Sequence, residues 1–520
     1  NSIAQVSLDG GNGIDTMDYS NAVKFTDGSA LATTDTGISL TLTGATLAIV
    51  TVGATNVGAD RLKNIENIIG TNGMDTLTGD TSANSLTGGA GNDSLDGGTD
   101  TDNDTLTGGT GNDTFYVANG RGTDTITDWG LGTDVISVSS LPGSNNLTSS
   151  DILNVILGGT SFDTTQIPAG VSAAKFNVTG GDGADVITTR AAADTITGGA
   201  GNDTVTVGSG SDAAGDVVII NAVVGTSSDS SRVAVSGDQN DTGGDTINGF
   251  NMTNDTLRIV ATSVAQFVHG TDTAIGTQTG AYNDGTAEGF LTTVGLVELN
   301  QTTNNDWDDP GDIAVTFPSV TGTWNKSGFE ARLQYNLTGT SAANTITTGA
   351  LADTIGGGGG GDTITGGAGA DSIDGGAGTG DTASYTDVTS ATSHSLANVA
   401  GMAINLSASV VTAAAIASAV GGTVVIGGGN GTAGTDLAAG SAGYLASTVS
   451  NSTTTMVRDT LTNIENVVGS DLADYIVGSA GANTINGGAG ADVITGGAGA
   501  DNLTGGSGAD TFTFAAGVAD

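Results

Sequence analysis

Residues 476–514 read IVGSAGANTINGGAGADVITGGAGADNLTGGSGADTFTF. Asn483, Asp492, Asp501 and Asp510 fall nine residues apart, and two residues after each stands an apolar one: Ile485, Ile494, Leu503 and Phe512. Glycines precede the acids in phase: Gly488 and Gly490, Gly497 and Gly499, Gly506 and Gly508. The unit is G-G-x-G-x-D-x-U-x, with U a large apolar residue. A period held by glycine, acid and apolar residue together marks a repeat array. It predicts an all-β chain, a parallel β-roll or β-helix solenoid. Each nonapeptide divides into a turn and a short strand. Two of them make one coil, so alternate U residues come from opposite sheets.

The same phase recurs upstream. A first tract runs through Asp75, Asn84, Asp93, Asp104 and Asp113, with the apolar ladder Leu77, Leu86, Leu95, Leu106 and Phe115. The longer step from Asp93 to Asp104 is an insertion, best placed in a turn. The segments at Asp124–Trp129 and Asp134–Ile136 read as a closing strand pair. A second tract holds Asp185, Asp194 and Asp203; a third holds Asn344, Asp353, Asp362, Asp371 and Asp381. Asp474 opens the fourth.

These tracts divide the chain into a lead-in at 1–69, a repeat tract with closing strands at 70–140, a spacer at 141–176, and a tract at 177–212. A non-repeat β-rich region comes next at 213–335, then a tract at 336–382, an Ala/Thr-rich insertion at 383–460 and a tract at 461–520. Asn64–Gly79 matches Asn463–Gly478 at a constant offset, both opening N-I-E-N, which points to a duplicated module. In that match Phe512 corresponds to Phe115, so a closing segment is expected past Asp520.

Composition narrows the alternatives. Gly is 88 of 520 and Pro 4, with no three-residue period, which excludes collagen. Apolar content of 37% in regular phase argues against disorder. The net charge of −44 is carried mainly by Asp, and 11 Lys and Arg cannot pair it. That acidity excludes nucleic acid as a partner and calls for cations. No cysteine is present, so disulfides and thiolate metal sites are absent. The uncharged segment Met402–Gly429 is too rich in Ala, Ser, Thr and Gly for a transmembrane span. It reads as a short helix near Ala408–Val420 and a strand at Thr423–Ile426.

In the repeat, glycines allow turn carbonyls to crowd one point, and the Asp adds a carboxylate. Ca²⁺ takes six to eight oxygens in flexible geometry, whereas Mg²⁺ dehydrates reluctantly, so Ca²⁺ is the expected ion. The pattern resembles the repeats-in-toxin (RTX, hemolysin-type) calcium-binding family, exported by type I secretion in Gram-negative bacteria. The resemblance covers the four tracts and the flanking N-I-E-N and D-x-I-x-D/G-W/F elements. It implies Ca²⁺ held by the repeat Asp and by turn carbonyls. The implied ligands are Asp75, Asn84, Gly89, Gly91, Asp93, Asp104, Gly109, Gly111 and Asp113 in the first tract, and Asp185, Asp194, Gly199, Gly201 and Asp203 in the second. In the third they are Asn344, Asp353, Asp362, Gly367, Gly369, Asp371 and Asp381, and in the fourth Asp474, Asn483 and Asp492, Asp501 and Asp510 with their glycines. About ten ions are expected. Asn84, Asn344 and Asn483 depart from Asp at early repeats, as caps or weaker sites would.

No catalytic constellation emerges. Two histidines, His269 and His394, cannot form H-E-x-x-H, and Gly505–Ala509 misses G-x-S-x-G at its last position. The expectation is a non-enzymatic, secreted, calcium-binding structural protein of a surface layer, filament or matrix. It would assemble as a homo-oligomer, with cell-surface polysaccharide as a further partner. The alternatives are an adhesin using Ala213–Leu337, or the calcium-binding part of a type I-secreted enzyme or toxin.

Overall fold

A computed structural model shows how these repeats stack. It describes residues 7–21, 32–33, 35–52, 60–98, 101–117, 123–138, 152–157, 161–163, 175–181, 185–189, 192–199, 203–207, 215–223, 246–251, 254–264, 266–268, 273–278, 292–298, 312–321, 331–389, 399–420, 425–426, 437–446 and 458–514. Gly201, His269, Trp307, Trp324, His394 and the prolines Pro142 and Pro168 lie outside these residues.

The apolar ladder builds two parallel sheets that face each other. In one, Leu77 pairs with Leu95, Leu95 with Phe115 and Phe115 with Ile136. In the other, Ile68 pairs with Leu86, Leu86 with Leu106 and Leu106 with Ile126. All of these side chains are buried. Because side chains alternate across a strand, each three-residue strand points one apolar residue inward and its Thr or Ser neighbours outward. Each such burial contributes about 1.5–3 kcal/mol. The chain is a parallel β-roll.

The roll does not stop where the glycines stop. Thr125–Trp129 and Val135–Val138 do not pair with each other, contrary to the expected closing pair. The first joins the sheet of Thr105–Thr110 and the second that of Thr114–Val117. Each keeps an Asp two residues ahead of its inward residue, so each takes the place of an ordinary half-coil. The stretch read as a spacer supplies Ile152–Leu157 and Ser161–Asp163, which continue toward the strands at 175–179 and 186–188. An aromatic row bridges this junction. Phe115 meets Trp129 at 6.3 Å, Trp129 meets Phe162 at 5.6 Å, and Phe162 meets Phe176 at 5.5 Å between ring centroids. Further on, Val217–Val223 pairs with Thr256–Val264, which pairs with Leu333–Gly339 and so reaches the third tract. Thr273–Gln278, Thr292–Glu298 and Asp312–Thr321 form an antiparallel extension joined to Thr246–Asn251.

The duplicated module has a topological meaning. Thr36–Thr41 pairs in parallel with Met74–Thr78, a coil the chain has not yet reached. The chain then returns antiparallel through residues 48–52, and only at Arg61–Lys63 does it lie parallel to Ser7–Asp9. Residues 372–477 repeat the plan. Val399–Asn405 pairs forward with Tyr475–Val477, Ser441–Ala446 returns antiparallel, and Arg458–Thr462 pairs back with Ser372–Asp374. A hairpin is thus inserted between two coils, twice.

The second hairpin carries the expected helix, which spans Ala413–Val420 and so starts later than its apolar composition suggests. Thr412 sets the start by accepting the Ala415 N–H on its hydroxyl at 3.2 Å. Ala413 and Ile416 bury against Ala403, Leu437 and Leu445. The strand after it is Val425–Ile426. Among the described residues no helix is long and apolar enough to cross a membrane.

Candidate metal centres

The repeat aspartates line the two edges of the roll, where strands give way to turns. Most of them are buried, Asp93, Asp362 and Asp492 among them. One oxygen of each holds the coil before it. The N–H of Asp75 donates to Asp93 Oδ1 at 2.7 Å, Asp93 N–H to Asp113 at 2.7 Å, and Asp113 N–H to Asp134 at 2.9 Å. On the opposite edge Asn84 N–H donates to Asp104 at 2.8 Å and Asp104 N–H to Asp124 at 3.0 Å. The second tract repeats this from Asp185 to Asp203 at 2.9 Å and from Phe176 to Asp194 at 2.8 Å. The third links Asn344 to Asp362, Asp362 to Asp381 and Asp353 to Asp371. The fourth links Asp474 to Asp492, Asn483 to Asp501 and Asp492 to Asp510.

The second oxygen separates the candidates into two groups. In Asp93, Asp362, Asp371, Asp381 and Asp492 the Oδ2 is buried and accepts no hydrogen bond. Such an atom costs free energy unless a cation meets it. In Asp75 both oxygens are occupied: Ile38 N–H donates to Oδ1 at 2.5 Å and Thr71 N–H to Oδ2 at 2.6 Å, with the Thr71 hydroxyl within 3.1 Å. Ser470 does the same for Asp474, its N–H 2.6 Å from Oδ2. Asp353 and Asp185 receive the N–H of Gly349 and Gly181 at 3.2 and 2.9 Å.

The space beside the orphaned oxygens of Asp93, Asp362 and Asp492 is shaped by glycine. A Cβ added at Gly88 would lie 2.2 Å from Asp93 Oδ2 and 2.7 Å from the Gly108 carbonyl oxygen of the next coil. At Gly357 the same point is 2.4 Å from Asp362 Oδ2 and 2.5 Å from Gly375 O; at Gly487 it is 2.3 Å from Asp492 Oδ2 and 2.6 Å from Gly505 O. Two acceptors with no donor between them converge there, in space that any other residue would fill. Gly109 and Gly111, at φ 95° and 145°, let the coils stack so closely that a Cβ would sit 1.9 and 1.6 Å from the carbonyl oxygens of Gly89 and Gly91. Of the other predicted turn glycines, Gly199, Gly367, Gly369, Gly488, Gly490, Gly497, Gly499, Gly506 and Gly508 also have positive φ.

Among the described residues no three side chains of His, Cys, Asp or Glu gather into a metal-binding group. A cation here would be held by single carboxylates and main-chain carbonyls. That donor set is all oxygen and its carbonyls are borne by turns, which suits Ca²⁺. The residues fit the ion. When bound it would supply positive charge between oxygens that otherwise repel.

Electrostatics agree with the geometry. Burial raises the Asp93 carboxyl to about 8, against the hydrogen bond from Asp75 and reinforced by the charges of Asp75, Asp113 and Asp128. Burial also raises Asp113 and Asp492 to about 6, and Asp353 and Asp474 to about 7. Asp371 is raised as well, by burial first and then by the charge of Asp459.

Several ladder residues carry no glycine signature and are not among the expected ligands. Asp194 N–H donates to Asp216 at 2.9 Å, Asp216 N–H to Asp255 at 3.1 Å and Asp371 N–H to Asp459 at 3.1 Å. For Asp216, Asp255 and Asp459 the only sequence signal is Asp-x-apolar in phase with the coils. Asp124 and Asp134 join the ladder too, each behind the repeat glycines, Gly120 and Gly122 or Gly130 and Gly132. Asp128 takes the N–H groups of Gly108 and Gly109 on its two oxygens, beside Asp113.

Asn84 and Asn483 differ from the aspartates in kind. Asn84 Oδ1 accepts the Asp80 N–H at 2.8 Å, and its amide nitrogen donates to the Glu66 carbonyl at 2.8 Å. Asn483 accepts from Ser479 N–H at 2.8 Å and donates to the Glu465 carbonyl. Asn344 Oδ1 accepts the Thr340 N–H at 2.8 Å.

The family model described as the RTX calcium-binding nonapeptide repeat (4 copies) matches residues 69–102, 99–126, 179–213, 347–380, 468–503 and 487–517. No curated protein matches the chain.

Proposed function

From the premise that this chain carries RTX calcium-binding nonapeptide repeats, we propose that it is a secreted structural protein. It folds on meeting Ca²⁺ outside the cell and assembles into a surface layer, filament or matrix. One observation carries this reading. Orphaned, buried carboxylate oxygens occur from Asp93 to Asp492, along a roll that continues between the tracts instead of ending in separate tails. Calcium is then required in the first, third and fourth tracts, far apart along the chain, as an extended scaffold would require and a small binding appendage would not. Where calcium is scarce, carboxylates with few cations to pair them keep the chain expanded. Outside, millimolar Ca²⁺ fills about ten sites and couples binding to folding. Asp93, Asp362, Asp371, Asp381 and Asp492, with the carbonyls of the neighbouring turns, would hold the ions.

Negative-stain microscopy of the purified chain with millimolar Ca²⁺ and with EGTA tests the assembly. Ordered sheets or filaments with calcium alone are expected; dispersed monomers in both conditions overturn the structural reading. A second reading, adhesion, draws on the antiparallel extension at 273–321, which leaves the path of the roll. Glycan-array binding that is lost when this extension is deleted would favour it.

A further inference from the structure

We infer that the roll contains two metal-independent clamps, centred on Asn64–Asn84 and Asn463–Asn483, that hold three successive coils together in the absence of calcium. The inference deepens the calcium reading above and rests on it.

Asn64 and Asn463 have φ of 50° and 51° and are the sole non-glycine residues at positive φ among the described residues. A left-handed residue other than glycine needs a compensating contact. Each has one: Asn64 Nδ2 donates to Asp9 Oδ1 at 2.7 Å, and Asn463 Nδ2 to Asp374 Oδ1 at 2.9 Å. The left-handed turn redirects the peptides after it. Glu66 and Asn67 donate their N–H groups to the Asp15 carbonyl at 3.2 and 3.0 Å. Glu465 and Asn466 do so to the Asp381 carbonyl at 3.1 and 2.9 Å. The next coil therefore meets the carbonyl of Glu66 or Glu465 where a ladder aspartate would meet an N–H. Only an amide satisfies that position. A carboxylate at residue 84 or 483 would set oxygen against oxygen.

The two glutamates complete the junction. Glu66 Oε2 accepts the Asp15 N–H at 2.8 Å, the place a ladder aspartate fills elsewhere. Glu465 Oε2 accepts the N–H groups of Gly380 and Asp381 at 3.0 and 3.1 Å. Asn67 Oδ1 and Asn466 Oδ1 then accept from Ser85 and Thr484 in the following coil, at 3.1 and 2.7 Å. Ile65 and Ile464 bury beneath. So Asn64, Glu66, Asn67 and Asn84 all end on protein partners, as do their counterparts, whereas Asp93 and Asp492 in the coils beyond each keep a buried oxygen with none. Each clamp borders one such oxygen, on Asp15 or Asp381, but its contacts are made by main-chain groups and by side chains that have protein partners, so removing calcium exposes less repulsion there than in the glycine-rich coils.

Hydrogen exchange read by mass spectrometry on the full chain in EGTA tests this. Peptides covering 61–87 and 460–486 are expected to exchange at least about ten-fold more slowly than peptides covering 89–117 and 490–512. In Asn84→Asp and Asn483→Asp that protection should disappear in EGTA and return with millimolar Ca²⁺. Exchange in EGTA that is uniform across the chain, fast or slow, overturns the clamps, as does protection that survives both substitutions. Uniformly fast exchange leaves the calcium reading standing. Exchange that ignores calcium everywhere overturns that reading too.

Discussion

The main-chain N–H of Asp75 donates to the carboxylate of Asp93, 2.7 Å away in the next coil, while the other oxygen of Asp93 is buried without a donor. One side chain thus has two tasks: stitching coils together and presenting charge to a cation. Substitutions can separate them.

Asp93→Asn keeps an oxygen for the Asp75 N–H and removes the charge. Calorimetric calcium titration should lose about one site, with the coil otherwise intact. Asp75→Asn should leave the site count unchanged, because both oxygens of Asp75 already face protein donors. Asp93→Ala removes both functions and should cost about 1–3 kcal/mol in urea denaturation at saturating calcium.

The raised carboxyls set a pH dependence for the calcium-free roll. Asp93 at about 8, and Asp353 and Asp474 at about 7, bind protons more tightly folded than unfolded. Stability contributed by protonation is then complete below the ordinary aspartate range and is lost as pH rises from about 4 through 8. Far-ultraviolet circular dichroism in EGTA should show β-structure at pH 4.5 that fades by pH 8. With calcium the order reverses: binding releases protons, so affinity should fall on acidification. Titrations at pH 7 in buffers of different ionisation enthalpy would read the proton release directly.

Gly111→Ala should be among the most damaging turn substitutions. It forces an alanine to φ 145° and drives a methyl group to 1.6 Å from Gly91 O. A loss of more than about 2 kcal/mol is expected from backbone strain and steric displacement together. Gly11→Ala is the control: its φ is 90° but no atom lies within 4 Å of the new methyl group. Thermal melts at saturating calcium would rank the two.

Phe162→Ala should uncouple the first tract from the second. The ring lies between Trp129 and Phe176, so its removal opens a cavity worth about 3–5 kcal/mol. Denaturation followed by the fluorescence of Trp129, with Trp307 and Trp324 replaced by Phe, should separate from that followed by circular dichroism, whereas a single transition is expected with Phe162 in place.

The ladder of inward residues, the phase of the aspartates and the two-sheet roll were all legible from the nonapeptide. A three-residue strand with one apolar residue has a single way to face a core. The continuation through residues 152–179 was not legible, because Val155, Phe162 and Val178 lack the Asp two positions earlier that marks a repeat. The inserted hairpins were hidden for another reason. Thr36–Thr41 pairs with Met74–Thr78 across a stretch that first runs backwards, and local pattern carries no sign of a partner that lies ahead. The division between Asp75 and Asp93 turns on a hydroxyl: Thr71 stands beside Gly70 in one turn and Gly89 beside Gly88 in the other.

The aspartate ladder has a direction. In each bond from Asp75 to Asp93, Asp93 to Asp113 and Asp474 to Asp492, the earlier coil gives the N–H and the later coil gives the carboxylate. The roll therefore has polarity in time as well as in space. For a chain emerging N-terminus first, each coil waits unsealed until its successor arrives, so order is fixed retroactively, from the C-terminal side.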